Sequence, residues 1–204
     1  MEMLGDERPD DGVLAEEGSR AEPDSGRRWL VDPLDGTTNY LYGYPTWSVS
    51  IALEDAEGGV CAVVHDPSRG ETFRATRGGG CQLNGTAVRV RDHDRFDTAL
   101  IATGFGYSAE LRAAQSGALT EILPRVRDIR RGGSAALDLA WLACGRVDGY
   151  FERGLSPWDW AGGRLLVTEA GGEVKTLPGE PTGAVAASPA LCAQLAALLE
   201  RHGG

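Results

Sequence analysis

The chain has 204 residues and carries 20 basic against 30 acidic side chains, which gives a formal net charge of −10 at pH 7. We do not expect so acidic a chain to bind nucleic acid, because phosphate backbones are held mainly by clustered Lys and Arg. No apolar run approaches the roughly 18 residues that span a membrane, and no secretory signal or lipid anchor is visible. We therefore expect a cytoplasmic protein that binds neither membrane nor nucleic acid. An acidic protein that held a phosphate group could do so through bound divalent cations, but the charge alone indicates no more than solubility.

The cysteines and histidines exclude several kinds of site. The four cysteines lie far apart without a C-x-x-C pair, which argues against a zinc ribbon or a redox motif. The three histidines lack metal-ligand spacing, and no G-x-S-x-G elbow is present. Hydrolysis centred on a histidine is therefore not expected.

The first half of the chain is rich in strand signals. Pro9-Asp10-Asp11-Gly12 predicts a turn ahead of a short strand at residues 13–16, and residues 18–26 have the composition of an exposed loop. The patterns of apolar residues predict further strands at 29–32, 47–53, 60–64 and 71–76. Asn84-Gly85 between strand-like flanks predicts a hairpin, since both residues accept positive φ.

The second half is dominated by helix signals. Helical spacing runs over residues 109–123, where Pro124 stops it. Ser134 can cap a helix over 135–144, and Ser156-Pro157 marks the start of one over 158–170. After a strand at 184–187, Ser188-Pro189 opens a last helix with Leu191, Leu195, Leu198 and Leu199 on one face. Strands and helices in such runs favour layered α+β packing over a regular βαβ repeat.

Asp32 and Asp35 are the leading candidates for a metal site. Pro33-Leu34 separates them at the end of a predicted strand, and the proline turns the chain so that both carboxylates can face one point. The Leu34 carbonyl adds a third oxygen of the kind that Mg²⁺ or Ca²⁺ prefers. Asp-Pro and Asp-Gly pairs are also ordinary turn chemistry, so either pair alone would indicate only a turn.

The residues that follow strengthen the catalytic interpretation. Residues 36–39 can begin a helix whose free N–H groups would bind a phosphate, with the Thr37 hydroxyl placed to orient a water. Glu16 or Glu17 can join the same cluster, although both could equally be solvated acids. Asp159, the third residue of a predicted helix, has two compatible interpretations: a capping-box acid and a rigidly held metal ligand.

Hydrolysis of a phosphate monoester needs more than one general base. The acceleration can reach about 10²¹-fold, whereas one general base supplies only about 10²–10⁴-fold. A carboxylate cluster that binds two or more metal ions can activate water, neutralise the transferring group and stabilise the leaving oxygen together.

These residues resemble the inositol monophosphatase family. Residues 32–39 match its D-P-L/I-D-G-T-x-N signature, and residues 155–163 resemble its W-D-x-A-x-G motif. Residues 15–18 resemble its G-E-E element, with Ala15 in place of the usual glycine. The resemblance extends over essentially the whole chain and implies a single domain over residues 1–204, an α+β sandwich of αβαβα layers with mixed or antiparallel sheets.

The resemblance also implies roles for individual residues. Glu16, Thr37 and Asp35 would be catalytic, with Thr37 and Glu16 positioning the attacking water and Glu17 supporting the ligands. Two or three Mg²⁺ ions would be held by Glu16, Asp32, the Leu34 carbonyl, Asp35 and Asp159. Substrate contacts would come from Gly36, Thr37, Gly133, Ser134, Ala135, Glu152 and Asp159.

The implied enzyme is a homodimeric, Mg²⁺-dependent phosphomonoesterase acting on inositol-1-phosphate or a similar small polyol or sugar phosphate. Related substrates stay open, namely fructose-1,6-bisphosphate, histidinol phosphate, NADP and 3′-phosphonucleotides. A nucleotide would need an aromatic or basic platform beside Glu152, and the sequence does not identify one.

The chain departs from the family pattern at its start. Family members normally carry two helices before the Glu-Glu element, whereas this chain begins about a dozen residues ahead of it. That region supplies an aspartate that pairs with the threonine matching Thr37. We expect residues 1–4 to be the end of the second helix and the domain to be truncated. The contrasting hypothesis is therefore a non-catalytic protein that binds metal or phosphate.

Overall fold

The strands of the protein form two sheets in the computed structural model, which describes residues 2–19 and 24–200. The larger sheet is mostly antiparallel. Its one parallel pair among the described residues joins residues 12–15 to residues 28–31. In spatial order it contains β2 (Gly18–Ser19), β1 (Gly12–Ala15), β3 (Arg28–Asp35), β4 (Ser48–Asp55), β5 (Gly58–Asp66), β6 (Glu71–Thr76), β7 (Gly80–Leu83) and β8 (Thr86–Val88).

The smaller sheet has both parallel and antiparallel neighbours. In spatial order it contains β10 (Asp128–Arg130), β9 (Leu100–Thr103), β11 (Gly149–Arg153), β13 (Gly183–Ala187) and β12 (Glu173–Leu177). The helices are α1 (Glu2–Glu7), α2 (Thr37–Leu41), α3 (Ala109–Ile122), α4 (Ala135–Ala143), α5 (Pro157–Glu169) and α6 (Pro189–Leu199), with 3₁₀ turns at Phe96–Thr98 and Leu123–Arg125.

Helices α4 and α5 lie between the two sheets. Their buried Leu137 and Leu166 share one hydrophobic cluster with Phe73 of the larger sheet and Tyr150 of the smaller sheet. The two helices pack closely because α5 carries Gly163, where a Cβ would come 2.5 Å from the Leu139 side chain of α4. This close packing fixes the starts of both helices, which border the candidate site.

Helices α3 and α6 cover the other face of the smaller sheet. Ile122 of α3 and Leu195 of α6 pack with Ile101 and Val185 of the sheet in a second cluster. The predicted leucine face of the last helix is confirmed, since it is buried along its length: Leu191, Leu195, Leu198 and Leu199. The described residues thus form four layers, in the order sheet, helices, sheet, helices.

The α+β class with mixed sheets is confirmed. Four of the five predicted layers are formed by the described residues. The fifth, helices on the outer face of the larger sheet, is not formed by them. On that face β5 exposes Val63, whereas its neighbour Val64 is buried against the helices. The single-domain expectation for residues 1–204 stays a prediction.

Several boundaries and elements differ from the prediction. The strand at 13–16 ends at Ala15, so Glu16 follows it, and the strand at 29–32 continues to Asp35. Residues 18–26 were predicted as a loop, but Gly18–Ser19 pairs with β1 at the sheet edge, and residues 20–23 lie outside the described part. The short strands β9, β10, β11 and β12 were missed, because runs of three to five residues carry no readable period.

Local turn chemistry was predicted more accurately. Asn84 and Gly85 both have positive φ, 48° and 83°, in the hairpin that joins β7 to β8. Ser134 caps α4 by accepting a hydrogen bond from the Leu137 N–H. Ser156 and Pro157 open α5 as predicted. No helix among the described residues is long and apolar enough to cross a membrane.

Candidate active site

A bulge in β3 brings Asp32 and Asp35 to the same face of the larger sheet. Residues three apart on a regular strand point to opposite faces. Here Asp32 lies opposite Ser50 and Asp35 opposite Ser48, so three steps along β3 match two along β4. The extra residue restores a common direction for both side chains. The Pro33-Leu34 insertion therefore acts inside the strand, and it does not end the strand as predicted.

Asp35 is held in place by donors from α4 and β4. Its Oδ2 accepts a hydrogen bond from the Ser134 hydroxyl at 2.6 Å and from the Ala136 N–H at 2.8 Å. The Ala135 N–H and the Ser48 hydroxyl donate longer bonds of 3.3 and 3.4 Å. Ser134 and the two N–H groups lie at the positive end of α4, so the helix start favours a negative charge on Asp35. The carboxylate is only 9% exposed.

The segment after Asp35 turns sharply into α2. Gly36 has φ +90°, and a Cβ at this position would lie 3.0 Å from the Thr46 carbonyl oxygen and 3.2 Å from that of Gly133. Only glycine fits both the conformation and the space. The first N–H groups of a helix have no intrahelical acceptor, so the start of α2 presents free donors beside the two aspartates.

The hydroxyl proton of Thr37 is used in a hydrogen bond to the backbone. Its Oγ1 donates to the Leu34 carbonyl at 2.9 Å. The hydroxyl oxygen can therefore act only as an acceptor toward the cavity, which is the role needed to orient a water molecule. The Leu34 carbonyl keeps a second lone pair for another partner.

Asp159 lies at the start of α5 in a capping box with Ser156. Its Oδ2 accepts a hydrogen bond from the Ser156 N–H at 2.7 Å. The capping bond fixes the carboxylate through Oδ2, whereas Oδ1 takes no part in the cap. Both predicted interpretations of Asp159 are thus compatible in the structure, as a cap and as a group facing the aspartates of β3.

These elements surround one cavity of about 310 Å³. Its lining includes every predicted metal-binding residue, as well as Gly36, Thr37, Gly133, Ala135 and Glu152. Asn39 ties two of its walls together, since its Nδ2 donates to the carbonyls of Thr46 and Gly132 at 2.6 and 2.8 Å. The helix start at α2 and the glycine turn before α4 are therefore held against each other.

Three aspartates of this cavity have raised pKa values. Burial raises the pKa of Asp32 to about 7 and that of Asp35 to about 8, although hydrogen bonds from the Leu34 N–H and Ser134 oppose the rise. Burial also raises the pKa of Asp159 to about 6. Neighbouring carboxylates add to each shift, Glu16 among them. Such mutual repulsion is what a bound cation would relieve.

The donor set fits a hard divalent cation. Within residues 2–19 and 24–200, no three His, Cys, Asp or Glu side chains lie close enough together in this structure to hold a metal ion. Like-charged carboxylates repel one another, so a cation is what would draw them together. Glu16, Asp32, Asp35, Asp159 and the Leu34 carbonyl offer oxygen atoms only, around one cavity, which is the ligand chemistry of Mg²⁺.

Comparison with known proteins identifies the family. The model of the inositol monophosphatase family matches residues 1–203. The chain belongs to the inositol monophosphatase family. The inositol-1-monophosphatase of Mycobacterium bovis is 38% identical to it over 216 residues, which cover all of this chain and 74% of that protein. The Nus factor SuhB of Xylella fastidiosa is 48% identical over 167 residues, or 81% of this chain.

A solved structure agrees with the fold. The extragenic suppressor protein SuhB of Bartonella henselae superposes with a TM-score of 0.91 at 38% identity, covering 98% of this chain and 80% of that one. The chain spans 60% of the length of the Xylella protein. The fold of an inositol monophosphatase is thus present, whereas the activity of the longer relatives comes to this chain as a proposal.

Two residues that the family resemblance places at the site do not line the cavity. Ser134, expected to contact substrate, is 1% exposed and does not line the cavity. Its hydroxyl donates to Asp35 and lies 3.1 Å from the Ser48 hydroxyl, so it supports the carboxylate from the side away from the cavity. Glu17 is exposed and does not line the cavity, and its expected role in supporting the ligands stays a prediction.

Sequence reasoning missed part of this inositol monophosphatase cavity. Its remaining wall is formed by apolar, aromatic and basic side chains, including Phe105, Tyr107, Leu111, Arg131 and Trp158. Most of them follow β9 or β10, two strands that the sequence did not reveal. A Gly-Phe-Gly-Tyr run after an apolar stretch is the one signal that could have indicated a turn at the end of a buried strand.

Proposed function

We propose that the protein is a Mg²⁺-dependent phosphomonoesterase that hydrolyses inositol-1-phosphate or a similar small polyol phosphate. The observation that carries this proposal is the bulge that turns Asp32 and Asp35 to one face, directly beside the free N–H groups of α2. Metal ligands and a phosphate-binding helix start thus border the same cavity. Family membership supports a phosphatase.

We assign the metal ligands to Glu16, Asp32, Asp35, Asp159 and the Leu34 carbonyl. Two or three Mg²⁺ ions held there would supply neutralisation of phosphate charge and a more acidic water molecule. The raised pKa values of Asp32, Asp35 and Asp159 show how costly their charges are when buried together. A divalent cation offsets that cost, so this group of side chains is expected to bind one tightly.

The chain's own groups would then orient the reactants. The N–H groups of Gly36 and Thr37 would donate to phosphate oxygens. The Thr37 oxygen, whose proton is committed to Leu34, would accept a hydrogen bond from the attacking water, with Glu16 on its other side. This water lies on one side of phosphorus and the polyol oxygen leaves on the other.

Glu152 would bind the hydroxyl groups of the substrate. Its Oε2 accepts a hydrogen bond from the Tyr150 hydroxyl at 2.8 Å, and a Cβ at Gly104 would come 2.0 Å from the same oxygen. Burial raises its pKa to about 7, opposed by Tyr150 and Arg131. Near neutral pH the group therefore exists in both protonation states and can accept or donate a hydrogen bond.

The test is phosphate release from inositol-1-phosphate by the chain from Met1, with Mg²⁺ and with EDTA. We expect turnover that depends on Mg²⁺ and that extends to other small polyol phosphates. Release that continues unchanged in EDTA would contradict the metal mechanism. The proposed homodimer can be measured on the same sample by light scattering.

The contrasting hypothesis is a non-catalytic protein whose cavity holds metal or phosphate without turnover. The Xylella relative is named as a Nus factor and not as a phosphatase, so its name leaves this alternative open. Calorimetry would separate the two functions. Binding of Mg²⁺ and phosphate, with no turnover of any phosphomonoester, would favour the binding role.

A further inference from the structure

Ser50 of β4 is the cross-strand neighbour of Asp32. The next pair on the same face, Leu30 and Ala52, belongs to the hydrophobic cluster between the two sheets. Side chains two residues apart on a strand share a face, so Asp32 and Ser50 also point toward the helices of that layer. Cross-strand neighbours have Cβ atoms about 4.5–5.5 Å apart, so a serine hydroxyl there can reach a carboxylate by rotation about one bond.

The Ser50 hydroxyl is buried without a hydrogen bond. The residue is 1% exposed, and its Oγ has no hydrogen-bond partner among residues 2–19 and 24–200. A buried hydroxyl without a partner costs free energy that an alanine at the same position would not cost. Ala52, two residues further along the same face, shows that this face accepts alanine. The unpaired hydroxyl therefore points to a hydrogen bond that forms in another state of the site.

Gly162 of α5 makes room for the Ser50 hydroxyl. A Cβ at Gly162 would lie 2.8 Å from the Ser50 Oγ, so the hydroxyl packs against the α-carbon of that glycine. Gly162 follows Asp159 by three residues, and residues three apart are neighbours on a helix surface. Ser50 therefore lies where β4 meets α5, close to the two elements that carry Asp32 and Asp159.

Asp32 has an oxygen that can accept a hydrogen bond from Ser50. Its Oδ1 accepts the Leu34 N–H at 3.0 Å, and its Oδ2 accepts no hydrogen bond within the described part of the chain. Asp35, by contrast, already accepts a bond from the Ser134 hydroxyl at 2.6 Å. Carboxylates that bind metal ions are in turn held by hydrogen bonds from neighbouring groups. For Asp32, the neighbouring hydroxyl that can supply such a bond is that of Ser50.

We propose that Ser50 is a positioning residue for metal binding, whose hydroxyl donates to Asp32 only when that carboxylate is a metal ligand. The bond forms when the Ser50 side chain rotates from α5 toward Asp32. It stabilises the charged carboxylate and fixes its direction, so it favours the metal-bound state over the metal-free one. Ser50 does not line the cavity and touches neither metal nor substrate. This inference rests on the proposed function, in which Asp32 is a metal ligand.

The experiment measures Mg²⁺ binding by calorimetry, and unfolding in urea without Mg²⁺, for the wild type and Ser50→Ala. We expect the variant to bind Mg²⁺ about 10- to 100-fold more weakly, the usual effect of losing a group that holds a metal ligand. Its urea midpoint should stay the same or rise, because no hydrogen bond of the metal-free protein is lost. A serine with a purely structural role would lower the midpoint and leave Mg²⁺ binding unchanged.

Ser188→Ala is the matched control. Ser188 is also 1% exposed, but its hydroxyl already donates to the His93 carbonyl, and it does not line the cavity. This variant should lower the urea midpoint and leave Mg²⁺ binding unchanged, which is the opposite of the result expected for Ser50→Ala.

Two results would overturn this inference and leave the phosphatase proposal standing. One is Mg²⁺ affinity in Ser50→Ala equal to that of the wild type. The other is a lower metal-free midpoint in Ser50→Ala, which would show that the hydroxyl is already bonded before metal binds. A wild-type protein that binds no Mg²⁺ would overturn both the inference and the proposed metal site.

Discussion

The floor and the rim of the cavity are built in opposite ways. On the floor, Asp32 is 2% exposed, and Asp35 accepts hydrogen bonds from Ser48, Ser134 and two N–H groups of α4. On the rim, Tyr107 and Arg131 have side chains without such partners in the described residues. A change on the floor leaves buried donors unpaired, whereas a change on the rim does not. We therefore expect a change on the floor to affect the reaction more strongly than a change on the rim.

The largest structural effect should come from Gly36→Ala, which places a Cβ 3.0 Å from the Thr46 carbonyl at a φ of +90°. The helix start has to shift, and misplacing a reacting group by about 1 Å can cost about 100-fold in rate. We expect such a loss in kcat/KM for inositol-1-phosphate.

Gly43→Ala is the control for Gly36→Ala, because Gly43 also has positive φ, +68°, but no atom lies within 4 Å of its added Cβ. It should lower the melting temperature by backbone strain alone and leave kcat/KM intact. Equal activity losses in both variants would contradict the special role of the α2 start.

A smaller effect is expected from Ser134→Ala, which removes the shortest hydrogen bond to Asp35. Loss of a residue that supports a metal ligand typically lowers metal affinity about 10- to 100-fold. The unpaired buried group should also cost about 1–3 kcal/mol in the free energy of unfolding. Mg²⁺ titration of activity and urea denaturation measure the two effects.

Ser188→Ala separates support of the site from helix capping. Ser188 is equally buried and precedes α6, but it does not line the cavity and its hydroxyl donates to the His93 carbonyl. We expect it to lower stability without changing the Mg²⁺ dependence. If Ser188→Ala changed the Mg²⁺ affinity as much as Ser134→Ala does, the hydrogen bond from Ser134 to Asp35 would have no specific role in holding the metal ligands.

The smallest expected effect is a gradual change of the free energy of unfolding with pH. In metal-free protein the folded-state pKa of Asp32 is raised from 3.8 to about 7, so between these values the folded state binds more protons than the unfolded chain. The free energy of unfolding must then fall as pH rises from about 4 to about 7. Asp32→Asn removes one source of this slope and should flatten the curve measured by urea denaturation.

Asp55→Asn is the contrasting variant, because hydrogen bonds from Arg77 lower the pKa of Asp55. A lowered pKa gives stability that is present above about pH 4 and is lost as pH falls further. Asp55→Asn should therefore leave the slope between pH 4 and 7 unchanged. A steeper slope in Asp32→Asn than in the wild type would contradict the burial of charge on the floor.

The same contrast explains how far the sequence could predict the site. The turn after Asp35, the Ser134 cap and the Asn84-Gly85 hairpin depend on local chemistry that can be read from a few neighbouring residues. Tyr107 and Arg131 reach the cavity only through the arrangement of β9, β10 and α3, which no local pattern encodes. The bulge was predicted as a turn, because pairing with β4 is what keeps residues 33–35 in the strand.

Ser134 illustrates a different limit. Its position was expected at the substrate from the family resemblance, whereas its role in this chain follows from the 2.6 Å bond to Asp35. Burial decided between the two, and burial depends on how α4 packs between the sheets. The metal-binding roles of Glu16, Asp32, Asp35 and Asp159 stay predictions, supported by their common cavity.

The central claim is that the carboxylates of the floor bind Mg²⁺ and thereby hydrolyse a phosphomonoester. Phosphate release from inositol-1-phosphate, measured against Mg²⁺ concentration in the wild type and in Asp32→Asn, tests it most directly. We predict saturable activation by Mg²⁺ in the wild type and a loss of at least about 1,000-fold in the variant, equivalent to about 4 kcal/mol of barrier. Activity in Asp32→Asn equal to that of the wild type at the same Mg²⁺ concentration would contradict the account.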